Sequence, residues 1–402
     1  MPARRTLLHA GGLAGLACLA GCLAAPPYTA PTPTADDWLT TRRGPTNTAC
    51  APDATPPRER PAVAWRAVAS GPVDELLVDA DTVYATLPTE TAALDRETGE
   101  RRWTTAGEGQ SMVPASRRVG CLSDGTLYTV DSERLRAFVV ADGTRRWSQP
   151  VAAELGDPVR GYGMQVTRST VLLGYHGGLA AFAVADGSHR WTVSPGGLGW
   201  VYPAVAHGRL YVGSPGPVYA YERRSRPSRL LDPEPRVDWR ARGPAFCSWP
   251  VVAGSRVVVA DREPLGDETA TNVWAYGRDG ERAWRTRVRG TGRAPAVTPD
   301  GTVVVSTGEE PSTVVALDVE DGSVRWEQAV TQYVREPVVA GGVVLVAGSP
   351  DELAEDEVVR AYDAETGESL WARRVEGRVE RVAAVGGRVY VGTDAGRVVA
   401  LG

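Results

Sequence analysis

Residues 336–349 read EPVVAGGVVLVAGS, and residues 357–371 read EVVRAYDAETGESLW. Valine and its neighbours alternate with polar or small residues in short runs, broken by Gly-Gly, by an acidic stretch and by a Thr-Gly turn. Period-2 alternation over runs this short marks strands buried on at least one face, and glycine at the breaks marks tight turns. The same phrase stands one unit earlier, as APAVTPDGTVVVSTG at 294–308 and TVVALDVEDGSVRW at 313–326.

The tryptophans that close these phrases set the period. Trp65, Trp103, Trp147, Trp191, Trp239, Trp284, Trp326 and Trp371 are 38, 44, 44, 48, 45, 42 and 45 residues apart. A recurrence of 40–45 residues holding four short strands is the signature of a β-propeller blade. A helical repeat would instead place apolar residues at i, i+3, i+4 and i+7. The 45 Gly and 30 Pro also leave little room for long helices.

After Trp371 the chain supplies VAAVGGRVYVGTDAGRVVALG and stops, which makes three strands without a tryptophan-bearing fourth. The missing strand stands at the other end, as Pro61-Ala62-Val63-Ala64-Trp65-Arg66-Ala67. The expected fold is therefore all-β: an eight-bladed β-propeller of four-stranded antiparallel blades, its last blade closed by the N-terminal strand, over residues 61–402. Such closure leaves no exposed sheet edge.

The segment Ala93–Trp103, ALDRETGERRW, resembles the tryptophan-docking motif of the PQQ-like (pyrroloquinoline-quinone repeat) β-propeller family, with Asp95, Thr98, Gly99 and Trp103 in place. Asp363, Thr366, Gly367 and Trp371 repeat it, and Asp318, Gly322 and Trp326 keep it with Asp321 in the threonine position. These are structural residues: glycine supplies the left-handed turn, and Asp and Thr bond local backbone. The resemblance implies two kinds of relative, quinoprotein dehydrogenases and non-catalytic lipoproteins of the BamB type. The enzymes carry adjacent cysteines over a quinone and hold calcium beside a catalytic Asp. This sequence has no Cys-Cys pair. No cofactor is expected on the favoured reading, and PQQ with calcium belongs only to the alternative of a quinoprotein oxidoreductase.

Residues 1–22, MPARRTLLHAGGLAGLACLAGC, have the layout of an export signal. Arg4 and Arg5 precede an apolar stretch of 16 residues, short of the roughly 20 that span a bilayer. Leu19-Ala20-Gly21-Cys22 resembles a lipobox, which makes Cys22 the expected lipidation site. The paired arginines resemble a twin-arginine signal. Residues 23–60 are expected to be a Pro/Thr-rich tether and lead-in, since Ala24–Asp36 (AAPPYTAPTPTAD) offers little to bury. The expected location is extracytoplasmic, anchored to a membrane through lipid.

Net charge is −5, and all 44 basic residues are Arg, so no overall positive field points to nucleic acid. No His or Cys cluster has metal-ligand spacing. The acidic loop at 351–357 and the Asp267-Glu268 pair read as solvated, Gly107-Glu108-Gly109 and Gly290-Thr291-Gly292 read as turn glycines, and Cys50, Cys121 and Cys247 read as free thiols. Candidate binding residues lie where loops feed the innermost strands at the channel mouth: Trp200, Tyr202, Trp249, Arg285, Arg287, Arg293, Arg335 and Arg381. Aromatic and Arg side chains dominate binding hot spots, and Arg forks suit carboxylate or phosphate. The expected function is a protein- or peptide-binding scaffold, with a small-ligand or glycan module at the mouth as a further alternative. Deleting residues 61–67 should open the last blade; a large fall in melting temperature or aggregation is the expected result, and an unchanged melting curve would contradict closure by the N-terminal strand.

Overall fold

A computed structural model describes residues 28–106, 118–156, 159–196, 199–214, 216–222, 234–241, 248–265, 268–308, 312–330, 333–349 and 356–402. The strands group into eight blades of four antiparallel strands; to one of them Cys50–Ala51 adds in parallel beside Val338–Ala340, and Tyr333–Val334 pairs with Val343–Ser349, with one short helix, Ala152–Leu155, among the described residues. The innermost strands are Glu75–Val78, Val119–Ser123, Gly161–Val166, Tyr202–Ala206, Val251–Ala253, Ala296–Val297, Val338–Ala340 and Val379–Val385, numbered here as blades 1 to 8. Each packs against the next, and Val379–Val385 packs against Glu75–Val78, so the ring is closed. Blade 8 takes its outermost strand from the other end of the chain: Val63–Val68 pairs antiparallel with Arg397–Leu401.

The middle strands of the blades are buried throughout, as in Thr82–Thr86 and Thr170–Tyr175. The outermost strands are half exposed and bury mainly their tryptophans. The indoles of Trp65, Trp103, Trp147, Trp239, Trp284 and Trp326 reach over the last turn of the following blade. Trp65 donates Nε1 to the Arg96 carbonyl at 3.0 Å, Trp103 to Val140 at 2.9 Å, Trp284 to Val319 at 2.8 Å and Trp326 to Ala364 at 2.9 Å. The turn glycine lies flat beneath the ring. Gly99 has φ +74°, and a Cβ there would stand 2.5 Å from Trp65 Cε3. Gly143, Gly187, Gly280, Gly322 and Gly367 stand in the same relation to the preceding blade's tryptophan. The glycine is thus required twice over, for its backbone angle and for ring contact.

Asp95 organises its turn from one side-chain oxygen, which accepts from the Glu97 and Thr98 backbone N–H groups, each at 2.9 Å. Its other oxygen accepts from Arg102 Nη2 at 2.7 Å. These bonds, led by that from Arg102, hold the carboxyl down at about 2. Asp363 and Asp318 bond their own turns in the same way.

Of Ala24–Asp36, expected to be an extended tether, the described part begins at Tyr28 and lies bonded to the ring, as does the lead-in after it. Residues 28–58 cross one face of the ring and bond to every blade. Thr29 O accepts from Arg168 N of blade 3, Trp38 exchanges two bonds with Val78 of blade 1, and Leu39 O accepts from Leu122 N of blade 2. Further on, Pro45, Thr46, Thr48 and Ala49 carbonyls accept from Val205, Val252, Val297 and Val339 of blades 4 to 7. Thr55 N donates to Gly386 O of blade 8. The reason is physical. An innermost strand has no neighbour on its axial side, so its N–H and C=O groups need partners there. Trp38 and Asn47 are fully buried in this plug. Asn47 Nδ2 donates to the Pro203 and Pro250 carbonyls at 2.9 and 3.1 Å, and its Oδ1 accepts from Gln165 Nε2 at 2.8 Å.

Replacing Asn47 with Ala removes three bonds that tie blades 3, 4 and 5 together. A loss of about 2–4 kcal/mol is expected, read as a lower denaturation midpoint at unchanged slope.

Candidate functional site

The plug closes the axial channel at one end and leaves a cup of about 530 Å³ at the other. Because every innermost strand starts at the cup and runs toward the plug, the residue just before each strand faces the cup. Six of the eight residues expected at the mouth line it: Trp200, Tyr202, Trp249, Arg293, Arg335 and Arg381. Arg285 and Arg287 do not. They lie in the outermost strand of blade 5, Arg282–Arg289, opposite Trp274 and Asn272. There Arg285 stacks 4.8 Å above the Trp274 ring and donates Nε to Asn272 Oδ1 at 2.9 Å. Their stretch continues as strand instead of feeding the cup as a loop.

The cup has two unlike walls. On blades 3 to 5 it is aromatic. Tyr202 and Trp249 stack with centroids 4.5 Å apart and planes at 30°. Tyr162 meets Tyr202 edge-on at 6.2 Å and Trp200 at 5.8 Å. Trp249 reaches across blade 4 to lie over Gly163, where any Cβ would come 2.5 Å from Cη2.

On blades 6 to 8 and 1 the wall is ionic. Arg335 spans both oxygens of Glu357 at 3.2 Å and approaches Glu380 at 3.7 Å. Arg381 meets the buried Glu75 at 3.2 Å, and Glu75 also accepts from the Thr41 hydroxyl of the plug. Arg293 donates Nε to the Val334 carbonyl at 3.3 Å. Arg42 forms part of the floor and donates to the Ala294 and Pro295 carbonyls. Burial pushes its guanidinium down to about 10, which leaves it charged at neutral pH. Burial acts to raise Glu336, but Arg293, Arg42 and Arg381 outweigh it and hold that carboxyl below its ordinary value. Four arginines and three glutamates line the cup, and Glu75 stands behind Arg381, where burial raises its carboxyl above the ordinary value.

Sequence reading missed Tyr162 and the acidic half of this wall. Glu336 follows Arg335 and Glu380 precedes Arg381, in the very slot from which the arginines were chosen. Tyr162 sits in Gly161-Tyr162-Gly163, where the usual Pro-Ala-Val step is replaced. Cys50 and Cys121 are buried free thiols, and burial raises Cys50 to about 12. Glu268 lies in the third strand of blade 5, and Gly290 and Gly292 lie between blades 5 and 6. Arg4, Arg5, Cys22, Gly107-Glu108-Gly109, Cys247, Asp267 and residues 351–355 of the acidic loop are outside the described residues.

Fold and cup together define an eight-bladed PQQ-like β-propeller. A family model described as outer membrane protein assembly factor BamB matches residues 24–229, 175–290 and 269–402, and the chain belongs to that family. None of the curated proteins matches the sequence. Among solved structures, BamB from Moraxella catarrhalis is similar at TM-score 0.59 and 14% identity, over 85% of this chain and 99% of that one. A europium-containing methanol dehydrogenase is similar at TM-score 0.67 and 13% identity, over 89% of each chain. Quinohemoprotein alcohol dehydrogenase from Comamonas testosteroni gives 0.65 and 14%, over 91% and 80%. At such identities these likenesses show the fold alone.

The dehydrogenases raise the question of a quinone held with calcium. Calcium takes roughly 6–8 oxygen ligands from carboxylates, carbonyls and waters. In this cup Glu357 is spanned by a guanidinium, and Glu75 and Glu380 are also met by one. Among the described residues no group of three or more His, Cys, Asp or Glu is placed to hold a metal ion. The carboxylates Glu75, Glu357 and Glu380 are engaged by arginines and do not fit a calcium ion.

Removing Arg335 should leave Glu357 and Glu380 facing each other. Arg335→Met is expected to cost about 3–5 kcal/mol, and Arg335→Met with Glu357→Leu to recover most of it. Denaturant titration of the single and double variants measures the coupling.

Proposed function

We propose that the protein is a non-catalytic scaffold, anchored by lipid on Cys22 outside the cytoplasm, that docks a protein partner on the rim of the cup. The observation that carries this reading is the placement of Trp200 and Tyr333. They are 58% and 38% exposed, among five large apolar residues exposed on the described surface, and they line the mouth on different blades. Val68, Val237 and Val324, the other three, lie singly on outermost strands, as isolated surface valines commonly do.

Membership of a family described as an assembly factor supports a partner-binding role. So does rigidity: a ring bonded at every blade by its own N-terminal segment loses little freedom on binding, which favours a pre-organised surface. The cup is sized for a small molecule, so a folded partner sits on its rim. The donor set described above tells against the oxidoreductase alternative.

A photo-crosslinking residue at Trp200 or Tyr333 in intact cells should trap one protein in the membrane fraction, while the same residue at Val324 should not. Equal or absent crosslinking at all three positions contradicts the docking surface. Cys22→Ser should move the protein to the soluble fraction; retention at the membrane contradicts anchoring by lipid.

A further inference from the structure

We infer that the interior of the cup is a binding site for a neutral saccharide. This goes beyond docking on the rim and holds whatever the partner and whether or not Cys22 carries lipid.

The aromatic wall is flat. Tyr202 and Trp249 stack within 30° of parallel, so they form a slab rather than a set of rings converging on one point. A slab suits a ligand with a flat apolar face, such as the C–H face of a pyranose ring. An aromatic cage for a cation needs ring faces turned to a common centre, which this slab does not provide.

The arginines of the ionic wall are already engaged by protein groups. Arg335 spans the Glu357 carboxylate and Arg381 meets Glu75. Arg42 and Arg293 donate to backbone carbonyls and both hold the Glu336 carboxyl down. What such pairs do offer is a donor beside an acceptor on rigid planar groups. A hydroxyl both donates and accepts, so neighbouring hydroxyls of a sugar can bond a guanidinium and a carboxylate together. One side of a sugar ring thus matches each wall. The volume, about 530 Å³, lies within the roughly 300–1,000 Å³ of small-molecule sites and admits a short oligosaccharide.

Full-length protein in detergent would be titrated with three neutral probes: maltotriose, cellotriose and N,N′,N″-triacetylchitotriose. Trigalacturonate and a trilysine peptide serve as charged comparators, and tryptophan fluorescence and thermal shift are the readouts. At least one neutral trisaccharide should give a saturable change and raise the melting temperature. Tyr202→Ala should weaken it about tenfold or more, with Tyr162→Leu as a second variant should the first fail to fold. No saturable response to any neutral probe at millimolar concentration overturns the proposal. So does tighter binding of trigalacturonate or trilysine, or unchanged affinity in both variants. Crosslinking at the rim is read separately, so failure of one reading does not carry the other with it.

Discussion

At six of the eight junctions between blades an indole is laid on a glycine of the following blade. The contact allows no side chain between ring and backbone, and the indole N–H is spent on a carbonyl of the same turn. Angular spacing of the blades follows from this repeat, and so does the width of the axis around which the inner strands gather. Blade 8 has no such turn before its outermost strand, because that strand comes from the N-terminal side. Trp371 instead donates to the Pro57 carbonyl at 2.8 Å, so the lead-in stands where a turn would otherwise be.

Much of this was legible because it repeats. Eight tryptophans at nearly even spacing, and a chain end short of one strand, sufficed for blade number and closure. The plug was not legible, since it occurs once and has no period. Its Pro and Thr residues have the composition of a linker, yet they meet inner strands whose axial groups lack other partners. Tyr28, Trp38, Leu39 and Cys50 were the hint, apolar residues in a lead-in made mostly of Ala, Pro, Thr and charged residues. The same logic divides the cup. Trp200, Tyr202 and Trp249 were found because unit alignment puts them before inner strands. Arg285 and Arg287 were misplaced because a strand of eight residues reads like a loop when arginines alternate along it. Glu336, Glu357 and Glu380 were passed over because an arginine alone looks like a ligand site, whereas an arginine beside glutamates is already partnered.

That pairing governs what the cup can do. A cluster of arginines at the mouth of a channel would attract phosphate or carboxylate from a distance. Matched with carboxylates, Arg335 and Arg381 lose much of that long-range field and keep directional hydrogen bonds. The BamB structure and the dehydrogenase neighbours share the ring; at its axis this chain places ion pairs.

The threaded segment has a consequence for the order in which the molecule assembles. Residues 28–58 precede every blade, yet their partners are spread over all eight blades, the last of them at Gly386 in the turn after the innermost strand of blade 8. Few native contacts in the protein span more sequence, and closing such distant contacts is slow. A chain that emerged across a membrane head first would hold its opening stretch unpaired until its tail had arrived. Completing the toroid before transit removes that waiting period.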